Sequence, residues 1–364
     1  MNTFGLSVKM TLFGESHGDA MGITIDGLAP GILLNEELIQ NALTKRRPKS
    51  IYSTSRSESD HYKIITGLYE GYTTGAPLTF IIENENKISS DYSSLKQRPR
   101  PSHADYPAQV KYNGFQDPRG GGIFSGRLTA LMVIAGAIAK QVLNDSGIFV
   151  GSHILSLNDI FDSSFDLVTV SQNLIQKLET EDFPLIDHQK EEAMKERIAS
   201  AKESLNSVGG RVESAIVGLP AGLGDPLFLS LESYLSSLLF SVPSIKGVEF
   251  GLGFDITKLT GKEANDEYQI IDGKVVTKSN NNGGILGGIT TGMPVVVRVA
   301  VKPTPSIALP QQTVNLETMK EEMLEIKGRH DPAIVNRVVH VINSVLYFGI
   351  LDFMTFSKNK DWMK

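Results

Sequence analysis

Two histidines sit among small, turn-forming and polar neighbours. One is in Gly14-Glu15-Ser16-His17-Gly18, the other in Arg100-Pro101-Ser102-His103-Ala104-Asp105-Tyr106. Much later comes Arg329-His330-Asp331-Pro332. Imidazole is the side chain whose unperturbed pKa lies closest to neutrality, so two of them outside any apolar stripe suggest proton donors rather than core filling. Taken singly, each is equally well read as a solvated loop side chain, and Asp331 as a helix N-cap. His61, His153, His188, His330 and His340 have no comparable setting. No H-x-x-x-H or H-E-x-x-H pair occurs, so a metal site is not indicated. The chain has no cysteine, which excludes disulfides and thiolate catalysis and fits a cytoplasmic protein.

Arginine gathers in or beside loops, at Arg46-Arg47, Arg56, Arg98, Arg100, Arg119, Arg127 and Arg329. A guanidinium pairs with carboxylate or phosphate through a two-pronged fork, so several forks fit a substrate with several anionic groups. Arg119-Gly120-Gly121-Gly122 runs through Ile123-Phe124-Ser125-Gly126-Arg127 into an apolar helix. Glycines permit close backbone approach, and a helix start favours an anion. The same residues also describe a plain tight turn. Lys302-Pro303-Thr304-Pro305-Ser306 leaves a predicted strand with an ammonium and two hydroxyls; it suits a phosphate, and equally an ordinary strand exit. No phosphate-loop motif is present, and Gly283-Gly284-Ile285-Leu286-Gly287-Gly288 has the wrong spacing for a dinucleotide fold.

These residues must be carried by a mixed set of elements. Asn35 caps a predicted helix with Glu36 and Glu37 in its first turn. Residues 127–143 read as a buried helix, 191–207 as a charged, solvent-facing one, and 231–239 as amphipathic. A last helix is predicted with Asp331 as N-cap and Pro332 at its first position. Strands are predicted at 22–26, 62–66, 77–82, 149–155, 212–217, 248–253 and 294–301. The mixture lacks the regular alternation of a doubly wound parallel sheet. One echo stands out: strand, Gly/Pro turn and helix at residues 23–35 and again at 215–231. It is read evenly as a duplicated unit or as chance.

The chain has 364 residues, 41% of them hydrophobic and 21% charged, so a sizeable core is expected. A formal charge of -6 argues against nucleic acid or an anionic membrane as partner. Met1 to Met10 does not have the build of a signal peptide. The apolar stretch 128–143 is shorter than the roughly 20 residues of a membrane span.

Taken in order, six blocks resemble one family, chorismate synthase. They are Phe13-Gly14-Glu15-Ser16-His17-Gly18, Arg100 to Tyr106, and Asp117-Pro118-Arg119-Gly120-Gly121-Gly122. Then come Asn282-Gly283-Gly284-Ile285-Leu286-Gly287-Gly288-Ile289, Lys302 to Ser306, and Lys327-Gly328-Arg329-His330-Asp331-Pro332. The resemblance is to a short, monofunctional bacterial form. It implies a lyase that eliminates phosphate from 5-enolpyruvylshikimate 3-phosphate in a trans 1,4 sense, giving chorismate. Reduced FMN is needed without net redox change. It implies His17 as general acid, His103 beside the flavin and Asp331 assisting its N5. Arg47, Arg100, Arg127 and Arg329 would bind substrate. Ile123, Phe124, Ser125, Gly287, Lys302, Pro303, Thr304, Pro305, Ser306 and Arg329 would bind FMN.

The resemblance further implies an α+β fold: one domain over residues 1–364, a β-α-β sandwich of two antiparallel four-stranded sheets with helices, assembled as a homotetramer. Some members reduce their own flavin with NADPH through additional sequence; here an external flavin reductase is expected. Three departures stand out. Ile123-Phe124 replace Arg-Ser, Pro243-Ser244 replace Asn-Ala, and Ile51 falls near a second family arginine. Two other classes fit the isolated motifs, a net flavin oxidoreductase consuming NAD(P)H and a non-catalytic binder of phosphorylated metabolites.

Overall fold

A computed structural model describes residues 2–48, 60–84, 96–326, 330–358 and 363. Strands β1 (Thr3–Phe4), β2 (Lys9–Gly14) and β3 (Ala20–Asp26) lead into α1 (Glu36–Arg46). Next come β4 (Tyr62–Thr66), the small hairpin β5 (Leu68–Tyr69) and β6 (Tyr72–Thr73), β7 (Leu78–Glu83), α2 (Asp105–Lys111) and α3 (Thr129–Asp145). The second half begins with β8 (Phe149–Leu157), β9 (Ile160–Phe161), α4 (Gln172–Thr180), α5 (Glu191–Glu203), β10 (Gly210–Val217), α6 (Leu231–Phe240) and β11 (Ile245–Phe250). After α7 (Gly261–Ala264) come the hairpins β12 (Tyr268–Ile271)/β13 (Lys274–Thr277) and β14 (Ile285–Leu286)/β15 (Ile289–Thr290). The chain closes with β16 (Val295–Val301), the hairpin β17 (Gln311–Asn315)/β18 (Lys320–Leu324) and α8 (Val335–Lys358).

Among the described residues, two large sheets form, ordered β1-β2-β3-β7-β4 and β11-β16-β10-β8-β9, and every pairing in them is antiparallel. The expected four strands per sheet become five. In each sheet the fifth is a two-residue strand at an edge, β1 or β9. Helix α3 packs on β3 of one sheet and β8 of the other, and α8 packs on β8 and β10. Nearly all of α3 is buried, which satisfies its apolar run. Helices α3 and α8 meet almost backbone to backbone at Gly136, where an added Cβ would lie 2.3 Å from the Ser344 carbonyl oxygen. Both helices are long and apolar enough to cross a membrane, but 78% and 89% of their apolar windows are buried inside the fold.

The internal echo is a shared topology. Taking the four long strands of each half in chain order, both sheets run 1-2-4-3. The turns after the second strands also correspond. Thr73 Oγ1 donates to the Ala29 carbonyl and accepts from Ile32 N–H, and Thr290 Oγ1 does the same with Pro220 and Leu223. Each turn then enters a capped helix: Asn35 accepts from Leu38 N–H, and Ser230 from Ser233 N–H. Such a side-chain acceptor satisfies a helix donor that otherwise has no intrahelical partner.

Other expectations change. Helix α5 ends at Glu203 and buries Met194, Ile198 and Ala201 on one face. Helix α8 starts at Val335, so Asp331 and Pro332 are not its cap and first residue. Val208 N–H instead donates to the Pro332 carbonyl, and Val208 forms a parallel bridge with Ala333. Backbone held in a β-type contact cannot also begin a helix.

His153, at the middle of β8, is fully buried between two carboxylates. Its Nδ1 lies 2.8 Å from Asp162 and its Nε2 2.9 Å from Glu213. Burial pulls its pKa down, but the two carboxylates outweigh this and raise it. Burial pushes Asp162 and Glu213 up, but His153, backbone N–H donors and, for Glu213, Arg298 together hold both below their ordinary values. Arg298 completes the chain, Nε to Glu213 at 2.7 Å. Stability from the imidazolium is full below the ordinary histidine pKa and is lost as pH rises through its raised value. Stability from the carboxylates is present above their ordinary pKa and is lost as pH falls through the lowered ones. His153→Gln should therefore cost about 3–5 kcal/mol near neutral pH, the usual penalty of breaking a buried pair. Denaturant unfolding measures it; a loss below about 1 kcal/mol, the scale of an exposed pair, rejects this account.

Candidate active site

The first functional cluster follows from how α1 ends. Lys45 and Arg46 occupy its last turn, where cations favour the helix dipole. Pro48 disfavours helical backbone at the residue before it, and Arg47 is extended at φ -66°, ψ 154°. The two adjacent arginines thus leave the helix end by different routes and converge on one carboxylate. Asp60 is completely buried and accepts from Arg46 Nη2 at 2.8 Å and Arg47 Nε at 3.1 Å. Arg127 Nη1 closes on its other oxygen. Burial would raise the Asp60 pKa, but Arg46 and Arg127 bring it below the carboxylate norm. Arg47 Nη2 is buried and has no hydrogen-bond partner among the described residues.

The second cluster is built on the turn before α2. Ser102 has a left-handed backbone, φ 57°, and Asp105 opens the helix. The Asp105 carboxylate accepts from Arg100 Nε at 2.7 Å, Arg100 Nη2 at 2.8 Å and Arg100 N–H at 2.9 Å. It also lies 2.6 Å from His103 Nδ1. Burial opposes ionisation of Asp105, yet Arg100 and His103 hold its pKa well below the usual range. Arg100 is therefore locked from within its own loop. Its Nη2 also donates to the Gly120 carbonyl at 2.9 Å, and its Nη1 reaches Ser306 Oγ at 3.4 Å.

Gly120 joins this cluster to His17. Its φ is +67°, and a Cβ there would lie 2.3 Å from His17 Cε1 and Nδ1. His17 is 6% exposed, and Ser16 Oγ lies 3.2 Å from its Nδ1. Ser16 N–H donates to the Gly122 carbonyl. The loop from Gly120 thus packs on His17 at one end and carries Arg127 into the Asp60 cage at the other. Ser125 sits between them and caps the 3-10 turn Gly126–Leu128 by accepting from Arg127 N–H. Ile123 and Phe124 line a cavity of about 30 Å³ shared with Glu15, Asp105 and Asp117. Glu15 has its pKa raised by burial and by Asp117.

The Lys302–Ser306 segment docks against these loops. Lys302 Nζ donates to the Ser102 carbonyl at 2.5 Å, and Lys302 N–H donates to the Ser244 carbonyl at 3.0 Å. Pro243-Ser244 therefore supports this segment through its backbone. Burial and the neighbouring Lys246 lower the Lys302 pKa. Ser207 Oγ donates to the Thr304 carbonyl at 2.7 Å, one residue from where Val208 holds Pro332. Pro303 and Pro305 lie on either side of Thr304.

Asp331 pairs with Arg337 of α8, Oδ2 to Nη1 at 3.1 Å. Arg337 Nε also donates to the Arg46 carbonyl at 3.1 Å, which ties Asp331 to the arginine cage. Gly287 stands apart at the tip of β14/β15, at φ +60°, and is in none of the hydrogen bonds that gather the other residues. Arg329, Ile51 and Arg56 lie outside the described residues. Sequence reasoning missed Asp60, Asp105 as a clamp, and Arg337. A legible signal existed only for Asp105, two residues from His103.

Fold and site together define an enzyme that handles a small, multiply anionic molecule. The sequence profile described as "Chorismate synthase" matches residues 8–355. Relatives named "Chorismate synthase" include those of Pyrococcus abyssi, 45% identical over 97% of this chain and 98% of the relative, and Thermococcus gammatolerans, 45% identical over 98% of each. The Dehalococcoides mccartyi relative of the same name is 43% identical over 96% of each. A solved structure described as "Crystal Structure of Chorismate Synthase" matches with a TM-score of 0.77, at 26% identity, over 98% of this chain and 94% of that one. The chain belongs to the chorismate synthase family.

Gly120→Ala tests the contact between loop and histidine. The new Cβ should displace the His17 ring and lower turnover by about 10²-fold, the lower end of what a misplaced general acid costs. Steady-state kinetics with a check of the melting temperature measure it. Unchanged turnover in a folded variant would show that the contact has no catalytic role.

Proposed function

We propose that this chain removes phosphate from 5-enolpyruvylshikimate 3-phosphate by trans 1,4-elimination, giving chorismate in the last common step of the shikimate pathway to aromatic amino acids. The observation that carries the reading is a single loop that packs on buried His17 and places Arg127 beside Arg47 on a shared carboxylate. This shared loop supports a reading in which a proton donor and an anion site act together. The substrate has a phosphate and two carboxylates, so Arg47, Arg100, Arg127 and Arg329 have groups to bind.

His17 gives its proton to the departing phosphate, so the leaving group goes as the weaker base. Arg47 and Arg127 hold substrate anions, with forks already aimed by Asp60. His103 is held by Asp105 and Arg100 on the side of the Lys302–Ser306 segment. Asp331 is oriented by Arg337 and would stand beside N5 of the flavin to assist it.

The donor set of the Lys302–Ser306 segment fits FMN. Lys302 adds to the positive charge of Lys246, and Thr304 Oγ1 is buried with no hydrogen-bond partner among the described residues. Lys302, Thr304 and Ser306 would hold the cofactor, with Pro303, Pro305, Ile123, Phe124, Ser125, Gly287 and Arg329 around it. When bound and reduced, FMN would supply electron density to the substrate ring and an acceptor for a ring hydrogen too weakly acidic for a simple base. The chain acts as one domain over residues 1–364, in the cytoplasm, with an external flavin reductase. Exposed Leu227, Phe228 and Phe254 support packing of further copies into a homotetramer.

The test is anaerobic: protein, dithionite-reduced FMN and the enolpyruvyl substrate, followed by chorismate absorbance and free phosphate. Product should form with reduced FMN and not with oxidised FMN; absence of phosphate release rejects the reading. His17→Ala should bind substrate and lose turnover by about 10²–10⁴-fold. A net oxidoreductase would consume NADPH in proportion to product, and steady NADPH oxidation by the pure protein with FMN would overturn the need for an external reductase.

A further inference from the structure

We propose that Asp60 is the positioning residue of the substrate-anion site, the fixed carboxylate that aims Arg47 and Arg127 at an incoming phosphate or carboxylate. The inference rests on the lyase reading for the identity of the substrate, and on geometry for the role.

Three guanidiniums converge on this carboxylate from two separate stretches of chain, the end of α1 and the turn before α3. Without a shared counter-charge, three like charges in a desolvated place repel and turn towards water. Asp60 supplies a negative charge shared by all three. The alternative is that Asp60 holds the site closed and must be displaced by substrate. Its setting argues against that. Asp60 and Arg46 are both fully buried, and the Arg46 carbonyl is anchored by Arg337, so this pair is the floor of the cage. Arg47 and Arg127 are partly exposed, at 21% and 11%, and form its open side. Arg47 spends Nε on Asp60, and its buried Nη2 has no hydrogen-bond partner among the described residues.

The two roles predict opposite signs. Asp60→Asn keeps the size of the side chain but removes the negative charge. If Asp60 aims the arginines, the variant should bind inorganic phosphate and substrate about 10–100-fold more weakly, as when a group that orients a ligating side chain is lost. The loss should fall on KM more than on kcat. If Asp60 is a competing anion, binding should tighten. Phosphate binding is read by isothermal titration of the full chain without flavin, and KM in the anaerobic assay.

Arg46→Lys is the second variant. It keeps the charge but replaces the fork with one ammonium, and it should weaken phosphate binding in the same direction. If circular dichroism shows that Asp60→Asn does not fold, Arg46→Lys decides. Unchanged or tighter phosphate binding in the folded variants overturns the proposal. A wild type that binds phosphate but releases none from the enolpyruvyl substrate strikes the lyase reading instead, and the phosphate result still decides the role of Asp60.

Discussion

A guanidinium or imidazolium taken out of water needs a carboxylate within hydrogen-bond distance, and this constraint organises the molecule. It is met three times. Asp60 gathers Arg46, Arg47 and Arg127; Asp105 clamps Arg100 and His103; Asp162 and Glu213 enclose His153. The first two pairings hold arginines and a histidine in the loops of the proposed site. The third lies within a sheet and holds β8, β10 and the loop before α5 together. Similar chemistry thus recurs in two loop clusters of the proposed site and once inside a sheet.

The duplicated architecture explains where the functional clusters fall. Each half supplies four long strands in the same order and a long helix to the shared layer, α3 or α8. The close contact at Gly136 and Ser344 sets how near these helices approach. Arg127 precedes one long helix, and Asp331 precedes the other while Arg337 lies in its first turns. Arg337 reaches from the second half to the Arg46 carbonyl of the first, so the carboxylate and the arginine cage share one frame. Hydrogen bonds crossing between loops make the site a property of both halves.

Much of the fold was legible. The strand at residues 62–66 matches β4, and the Asn35 cap and the buried α3 follow from local pattern. Strand β2 was missed although Ser7 to Leu12 alternates, because Phe13 breaks the alternation and the strand runs directly into a motif that reads as a polar loop. The start of α8 was misplaced because a contact with Val208, more than a hundred residues away, occupies Pro332 and Ala333. His153 looked undistinguished because its partners, Asp162 and Glu213, are a loop residue and a neighbouring strand.

By itself the sequence determined the family, through six ordered blocks, and with it the residue types the reaction requires. It also determined local features that depend on neighbours in the chain, such as the Asn35 cap of α1 and the buried apolar run of α3. Only the tertiary structure decided which charges meet. Asp60 stands in a polar Ser-Glu-Ser-Asp run with no local sign of importance, and Arg46 looks like the lesser of two adjacent arginines. Their roles arise from desolvation, and desolvation depends on what distant segments bring to cover them. Periodicity and capping are short-range and can be read along the chain; the pairing of buried charge is long-range and exists only once the sheets and helices have closed around it.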